Sequence, residues 1–236
     1  MIPKIIHYCW FGRGEMPELA HKCIESWKKF LPDYKLQLWN EDNFDINSNR
    51  YVKEAYQSRK FAFVTDYVRL YALYNFGGVY MDTDVEVLKS LDEFLTLPAF
   101  SGFESETEIP TGIMASEQYG QWAKDQLEYY IDKAFIMPDG SLDTTTNVTI
   151  ICNIMGKNGF IFNNTKQNYH NQITMFPKDF FCPKSYLTGK IHLTENSYCI
   201  HHFSGSWQTP YKRFKLKIIR LLGPRIMEIV SNIKNF

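Results

Sequence analysis

The chain has 236 residues, of which 44% are hydrophobic and 16% aromatic, enough to bury the core of one large domain. Its formal net charge of zero argues against a general nucleic-acid binder, and no apolar run approaches the roughly 20 residues of a membrane-spanning helix. The five cysteines lack CxxC spacing, which predicts reduced thiols rather than disulfides or a zinc site. The N-terminus lacks the regions of a signal peptide, so we expect a cytoplasmic protein.

Strand and helix patterns alternate along the chain. Apolar runs and helical spacing predict strands at 4–11, 34–40, 79–81, 85–88 and 99–104, and helices at 17–31 and 51–78, the latter broken near 58–60 and ended by Gly77–Gly78. The second half predicts a strand-like stretch at 110–116, helices at about 118–132 and 147–157, and short irregular strands up to the closing segment 197–207. Because the chain opens with a strand, a helix and a strand, we expect a parallel α/β sheet.

The charge is distributed unevenly. Residues 211–236 carry a net charge of +6, whereas residues 1–210 carry −6. The basic part places Phe214, Ile218 and Leu221 near one helix face. We therefore expect a globular domain at 1–210 and a basic amphipathic helical tail at 211–236. Such a tail suits either contact with an anionic membrane surface or packing on the domain, and the sequence favours neither.

Asp82 and Asp84 stand one residue apart behind two glycines and an apolar strand. Two carboxylates this close repel each other unless a positive group lies between them. Mn²⁺ and Mg²⁺ take carboxylate oxygens as ligands, often together with substrate phosphates. Ligands also bind at the carboxyl ends of strands in open α/β sheets. The sequence therefore predicts a divalent-metal site here rather than a solvated acidic turn.

Two further segments carry candidate site residues. Asp66 and Arg69 lie three residues apart on a helix whose other residues are mostly apolar, so they could line a cleft rather than form a surface ion pair. The closing segment "IHHFSGSW" offers imidazole, hydroxyl and indole groups from His201, His202, Ser204, Ser206 and Trp207. Because neighbouring strand residues face opposite sides, we expect one of the two histidines to face the cleft.

Three stretches together resemble glycosyltransferase family 32: "PKIIHYCWFG", "FAFVTDYVRLYALYNFGGVYMDTDVEVLKSLDEFL" and "IHHFSGSW". They supply D-x-x-R-x-x-x-L, F-G-G-x-Y-x-D-x-D and H-x-x-x-x-S-W in order, and the resemblance covers nearly everything before residue 210. The glucosylating domain of large clostridial toxins shares the same core pattern. The resemblance implies a GT-A type, Rossmann-like α/β fold with a mostly parallel mixed sheet, followed here by the basic helical tail.

The resemblance also implies roles for individual residues. It assigns a catalytic role to Asp82, Asp84 and Arg69, and a metal site of Mn²⁺ or Mg²⁺ to Asp84, Asp82 and either His201 or His202. It assigns contacts with the nucleotide-sugar donor to Trp10, Asp66, Arg69, Tyr80, Asp82, Asn147, Ser206 and Trp207. The stretch "TTTNVTI" (144–150) departs from the Gly-Pro or Cys-Pro that relatives often carry there, so the Asn147 assignment rests on position alone.

By this resemblance the chain would be a metal-dependent, retaining glycosyltransferase of the hexosyltransferase type. It would move a sugar from a UDP- or GDP-sugar to a glycan acceptor, free or lipid-linked, in capsular or other surface-polysaccharide synthesis at the inner face of the cell membrane. A protein acceptor is an alternative. A different class, a DxD-type phosphohydrolase, also fits "MDTDVEV", but it needs a later Gly-Asp-x-x-x-Asp that residues 110–236 lack. A third class, a sugar-binding module without catalysis, would have no need for a metal–diphosphate constellation.

Overall fold

The computed structural model describes residues 1–110, 112–205 and 211. Within them lie nine strands, six α-helices and one 3₁₀ helix, Asp92–Phe94. The strands are β1 Ile5–Cys9, β2 Lys35–Trp39, β3 Gly78–Met81, β4 Val85–Val87, β5 Ala99–Gly102, β6 Ile113–Ser116, β7 Gln167–Tyr169, β8 Ile173–Phe176 and β9 Cys199–His201. The helices are α1 Glu18–Phe30, α2 Arg50–Gln57, α3 Phe61–Phe76, α4 Gln121–Glu128, α5 Asn147–Lys157 and α6 Lys178–Phe181.

The main sheet has seven strands in the order β2-β1-β3-β6-β5-β8-β7. Strands β2, β1, β3, β5 and β8 run in one direction, and β6 and β7 run in the other. The fold is thus the predicted mixed α/β sheet with mostly parallel strands, of the GT-A type. The opening strand, helix and strand form the expected parallel pair, in which Ile5 aligns with Lys35.

Two hydrophobic clusters cover the two faces of this sheet, and β3 contributes to both. Tyr80 points to the cluster that contains residues of α2, α3, α4 and α5. Its neighbours Val79 and Met81 point to the cluster that contains residues of α1, β4 and α6. This alternation is the period of two expected for a strand buried on both sides. The end of β3 is therefore held firmly from above and below.

Two glycines connect α3 to β3. The helix ends at Phe76, and Gly77 and Gly78 follow with φ values of +62° and +110°, which residues other than glycine rarely adopt. A Cβ atom on Gly78 would lie 2.6 Å from the carbonyl oxygen of Ile5 in the neighbouring strand. The glycine pair thus does more than end the helix, because it lets β3 enter the sheet directly beside β1.

Further sequence predictions concern the helices and the C-terminal segment. The break in the long helical pattern is confirmed, since α2 and α3 are separate helices. The helix predicted at about 118–132 is shorter, because Gly120 precedes its first turn and the chain turns at Tyr129. In the described part of the chain, no helix has the length and apolar character needed to cross a membrane. The division into 1–210 and a basic tail stays a prediction, because most of 206–236 lies outside the described residues.

Candidate functional site

The two aspartates lie in a tight turn at the carboxyl end of β3. The backbone N–H of Asp82 donates to the carbonyl oxygen of Gly112 over 2.8 Å, and the N–H of Val85 donates back to the carbonyl of Asp82 over 3.0 Å. The first bond joins the turn to the segment before β6, and the second closes the turn itself. Asp82 and Asp84 are therefore presented at the sheet edge where the topology favours ligand binding.

The second, two-stranded sheet brings a histidine to this turn. Strand β4 leaves Asp84 and pairs antiparallel with β9, so that Val85 aligns with His201. The Nε2 atom of His201 lies 3.4 Å from Oδ1 of Asp84 and 3.9 Å from Oδ2 of Asp82. One ligand atom from each of the three side chains lies within 4.8 Å of the other two. Residues far apart in sequence thus form one compact cluster.

The charges of this cluster are strongly coupled. Burial alone lowers the pKa of His201, but the Asp84 carboxylate outweighs burial and raises that pKa well above its usual range. Burial likewise raises the pKa of Asp84, yet the His201 imidazole and the N–H of Ser204, which donates over 2.7 Å, hold it well below its usual range. A positive charge beside Asp84 is therefore favoured here.

His202 points to a different group. Its Nε2 atom lies 2.8 Å from Oε2 of Glu86, and the same oxygen forms an ion pair with Nζ of Lys22 at 3.5 Å. The expectation that one of the two histidines faces the carboxylates agrees with this geometry, because the compact cluster contains His201. The assignment of His202 as a metal ligand finds no support in these contacts.

Asp66 and Arg69 lie beneath the carboxylates. Both are buried on α3, and the Nη2 atom of Arg69 lies 3.1 Å from Asp66 and 3.5 Å from Oδ1 of Asp82. The hydroxyl of Tyr80 donates to the same Asp82 oxygen over 2.8 Å, and the Arg69 guanidinium lies 4.7 Å from the centre of the Tyr80 ring. Arg69 and Tyr80 thus hold Asp82 in place from below.

The N-terminus of α5 reaches the same cluster. Asn147 is the first residue of α5, and its backbone N–H and the helix dipole favour the charged form of the Asp66 carboxylate. Burial nevertheless raises the pKa of Asp66 to about 6. A contact between Asn147 and the donor stays a prediction.

Trp10 lies on the other side of the turn. It follows β1, is half-buried, and donates its indole N–H to the carbonyl of Gly14 over 2.6 Å. The indole lines a shallow depression together with Thr83, Asp84, Ser204 and residues at the start of α1. An aromatic residue thus lines the same depression as Asp84, and the contact of Trp10 with the nucleotide stays a prediction. Ser206 and Trp207, the other two predicted donor contacts, lie outside the described residues.

Two site residues escaped the sequence analysis. A Cβ atom on Gly112 would lie 3.1 Å from both Oδ2 of Asp82 and Cδ2 of His201, so any larger residue here would press on both side chains. Glu104 places its Oε2 atom 3.6 Å from Nδ1 of His201. Both residues lie in the loop between β5 and β6, which had no recognisable motif around Glu104. Gly112 thus brings the stretch 110–116, predicted as strand-like, up to the side chains of Asp82 and His201.

The described donor set fits a divalent cation. Two carboxylates and one neutral imidazole are ligands that Mn²⁺ accepts, and Mg²⁺ shares the preference for oxygen. The Asp84 and Asp82 oxygens and the His201 nitrogen already converge on one place. A cation there would replace the proton on His201 as the positive charge that Asp84 needs.

Comparisons with known proteins match the segment that contains Asp66, Arg69, Asp82 and Asp84. Residues 17–101 match the family described as a glycosyltransferase sugar-binding region containing a DXD motif. Inositol phosphoceramide mannosyltransferase 3 of Schizosaccharomyces pombe is 32% identical over 117 residues, which are 48% of this chain and 33% of that protein. An uncharacterized glycosyltransferase of Acanthamoeba polyphaga mimivirus is 26% identical over 227 residues, 92% of this chain and 88% of that protein. This chain spans about a third of the yeast relative's length.

A solved structure shares the fold over nearly the whole chain. It is titled a glycosyltransferase involved in the glycosylation of the major capsid of PBCV-1, and it aligns with a TM-score of 0.51 at 10% identity. The alignment covers 93% of this chain and 100% of that one. At this identity the likeness concerns the fold alone. The sequence matches, not this structure, confirm the resemblance to glycosyltransferase family 32 that the motifs predicted.

Proposed function

Because residues 17–101 belong to the family of sugar-binding regions with a DXD motif, we propose that this chain is a metal-dependent glycosyltransferase. It moves a sugar from a nucleotide-diphosphate sugar to a hydroxyl group of an acceptor. The observation that carries the proposal is the convergence of Asp82, Asp84 and His201 at the carboxyl end of β3. A sugar-binding module without catalysis would have no use for three metal-ligating side chains beside a buried arginine.

The cation is proposed to be held by Asp84, Asp82 and His201. When bound, it would neutralise the diphosphate and stabilise the charge that develops on this group as it leaves. The ring of Trp10 is proposed to stack on the nucleoside base, and Ser206 and Trp207 are proposed to donate hydrogen bonds to the phosphates. The Mn²⁺ or Mg²⁺ preference stays open to measurement.

The buried residues of α3 prepare the site. Arg69 stays protonated because Tyr80 and the Asp82 and Asp66 carboxylates outweigh burial and raise its pKa. Its charge fixes the orientation of Asp82, whose side chain is 26% exposed and so remains accessible to a ligand. Asp66 and the start of α5 lie next to it, on the side where we place the donor sugar. Arg69 therefore acts by orienting Asp82 and by adding positive charge near the leaving group.

The transfer itself needs no protein nucleophile. The bond between the anomeric carbon and the diphosphate oxygen breaks, and a bond from that carbon to the acceptor oxygen forms. The hydroxyl proton of the acceptor passes to the departing phosphate oxygen. We propose that the acceptor attacks from the side of the leaving group, so that the product keeps the donor's anomeric configuration, as in the retaining family that this chain resembles.

The substrates can be proposed only as classes. The Schizosaccharomyces pombe relative is named a mannosyltransferase, so a GDP- or UDP-hexose is the donor to try first. A surface glycan, free or lipid-linked, is the proposed acceptor, and the basic tail 211–236 would suit a location at the inner face of the membrane. A role in capsule synthesis and a cytoplasmic location stay predictions, as does the alternative of a protein acceptor.

The decisive experiment measures release of the nucleoside diphosphate from a panel of UDP- and GDP-sugars, with and without Mn²⁺. We expect metal-dependent release that Asp84→Asn reduces by roughly a hundredfold or more, since removal of a ligand charge weakens the cation site. Asp33→Asn is the matched control, because Asp33 is exposed and precedes β2, at the amino end of the parallel strands and away from the carboxylates. Wild-type release of the nucleoside diphosphate by a correctly folded Asp84→Asn variant would contradict the mechanism. Hydrolysis of phosphate monoesters instead would indicate the phosphohydrolase.

A further inference from the structure

One ring nitrogen of His201 has no partner. The Nε2 atom faces the carboxylates of Asp82 and Asp84, but Nδ1 is buried and makes no hydrogen bond to any described residue. A buried polar atom without a partner carries a free-energy cost, and native proteins seldom leave one unused. The ring is only 8% exposed, so bulk water does not readily serve as that partner.

A carboxylate lies close to Nδ1. Oε2 of Glu104 lies 3.6 Å away, slightly beyond hydrogen-bonding distance. The backbone beside Glu104 is held on both sides, because its own N–H donates to the carbonyl of Glu108 and that of Phe103 donates to Phe176. The Glu104 side chain keeps 22% of its surface exposed, which leaves the carboxylate room for the small movement that closes this gap.

A second group approaches the same ring. The thiol of Cys182 lies near enough to His201 to help raise the pKa of this ring, and Cys182 is 1% exposed. A thiol is a weak donor and a weak acceptor, whereas a carboxylate is a strong acceptor that orients an imidazole well. Glu104 is therefore the better partner for an N–H at Nδ1, and Cys182 is the rival that an experiment has to exclude.

We propose that Glu104 is a positioning residue whose carboxylate accepts the Nδ1–H of His201 and thereby keeps the Nε2 lone pair directed at the cation between Asp82 and Asp84. A neutral imidazole carries one N–H, so a proton held on Nδ1 leaves Nε2 free to ligate. Metal-binding histidines regularly use such a carboxylate partner. This inference rests on the proposed metal site and assigns the role to a residue outside every motif of the sequence.

The first test is Mn²⁺ affinity of the purified full chain by isothermal titration calorimetry. We expect Glu104→Ala to weaken binding by about 10- to 100-fold, and Glu104→Gln to weaken it less, because the amide oxygen still accepts but carries no charge. Glu108→Gln is the matched control, since it removes an exposed carboxylate from the same loop, and it should bind like the wild type. Both Glu104 variants binding within twofold of the wild type would overturn the inference.

The second test distinguishes orientation from direct ligation and from the thiol. With Mg²⁺ bound, long-range ¹H–¹⁵N spectra of the histidine rings should show the His201 proton on Nδ1 in the wild type, and this signature should shift in Glu104→Ala. An unchanged signature together with weakened binding would make Glu104 a metal ligand instead. Cys182→Ala should leave affinity and signature unchanged, and a loss equal to that of Glu104→Ala would assign the role to the thiol. If the wild type itself binds no metal, the proposed function fails, not the inference alone.

Discussion

Two buried histidines of this protein have opposite environments. His7 in β1 is 1% exposed and fully partnered: its Nε2–H donates to the carbonyl of Gly77 over 2.7 Å, and its Nδ1 accepts the indole N–H of Trp39 over 3.1 Å. His201 in β9 is nearly as buried, yet it leaves Nδ1 unpartnered and turns Nε2 toward two carboxylates. The first histidine is complete without a ligand, and the second is not.

The pKa values of the two rings follow from this difference. Burial dominates at His7 and lowers its pKa to about 4, so the ring is neutral and packs as part of the core. At His201 the Asp84 carboxylate outweighs burial and raises the pKa. Burial alone therefore does not separate a structural histidine from a candidate ligand. The unpartnered nitrogen and the neighbouring carboxylates make that separation.

The largest effect should come from replacing each of the two histidines separately and measuring how the variant responds to metal. We expect His201→Ala to lose roughly a hundredfold of metal-dependent nucleotide release and to lose the rise in melting temperature that Mn²⁺ gives the wild type. His7→Gln should melt at a lower temperature than the wild type but keep its Mn²⁺-induced rise. Thermal denaturation with and without Mn²⁺ measures both. A Mn²⁺-induced rise that survives in His201→Ala would remove this residue from the site.

The next effect concerns stability against pH at His7. Its pKa is about 4 in the folded chain and 6.5 ordinarily, so the unfolded chain takes up the proton first as the pH falls. Stability should therefore decrease between about pH 6.5 and pH 4, by about 3 kcal/mol at the lower end. Asp66 opposes this trend, because its raised pKa lets the folded chain bind a proton first.

The difference between wild type and His7→Gln isolates the histidine from Asp66 and all other groups. Urea unfolding across this pH interval gives the free energy of unfolding of each protein. The two curves should converge toward the acidic end, where the wild type has lost the advantage of its neutral ring. Parallel curves would mean that His7 does not titrate as its contacts imply.

Part of this site could be predicted from the sequence, because its signals are local. Asp82 and Asp84 follow an apolar strand and a glycine pair, and the helix with Asp66 and Arg69 precedes them directly. Alternation along a strand predicts that one of two adjacent histidines faces the cleft. It cannot choose His201, because the choice depends on the register in which β9 pairs with β4.

The rest depended on pairings between distant parts of the chain. The insertion of β6 between β3 and β5 and the alignment of Phe100 with Thr174 leave no trace in local periodicity. Glu104 follows β5 in a polar loop and resembles any exposed acid in sequence. Its meeting with His201 arises only when both sheets are assembled, so no spacing rule could have found it.

The smallest effect should come from the glycines that pack against the two histidines. A Cβ atom on Gly78 would lie 3.1 Å from Nε2 of His7 and 2.6 Å from a backbone oxygen, at φ +110°, so Gly78→Ala should cost roughly 2 kcal/mol of stability. A Cβ atom on Gly112 would meet Asp82 and His201 at 3.1 Å without such backbone strain. Gly112→Ala should therefore cost less than about 1 kcal/mol yet weaken Mn²⁺ binding several-fold. Urea unfolding and Mn²⁺ titration of both variants measure these effects. Equal Mn²⁺ affinity of the two variants would contradict the assignment of the metal site to the surroundings of His201 rather than those of His7.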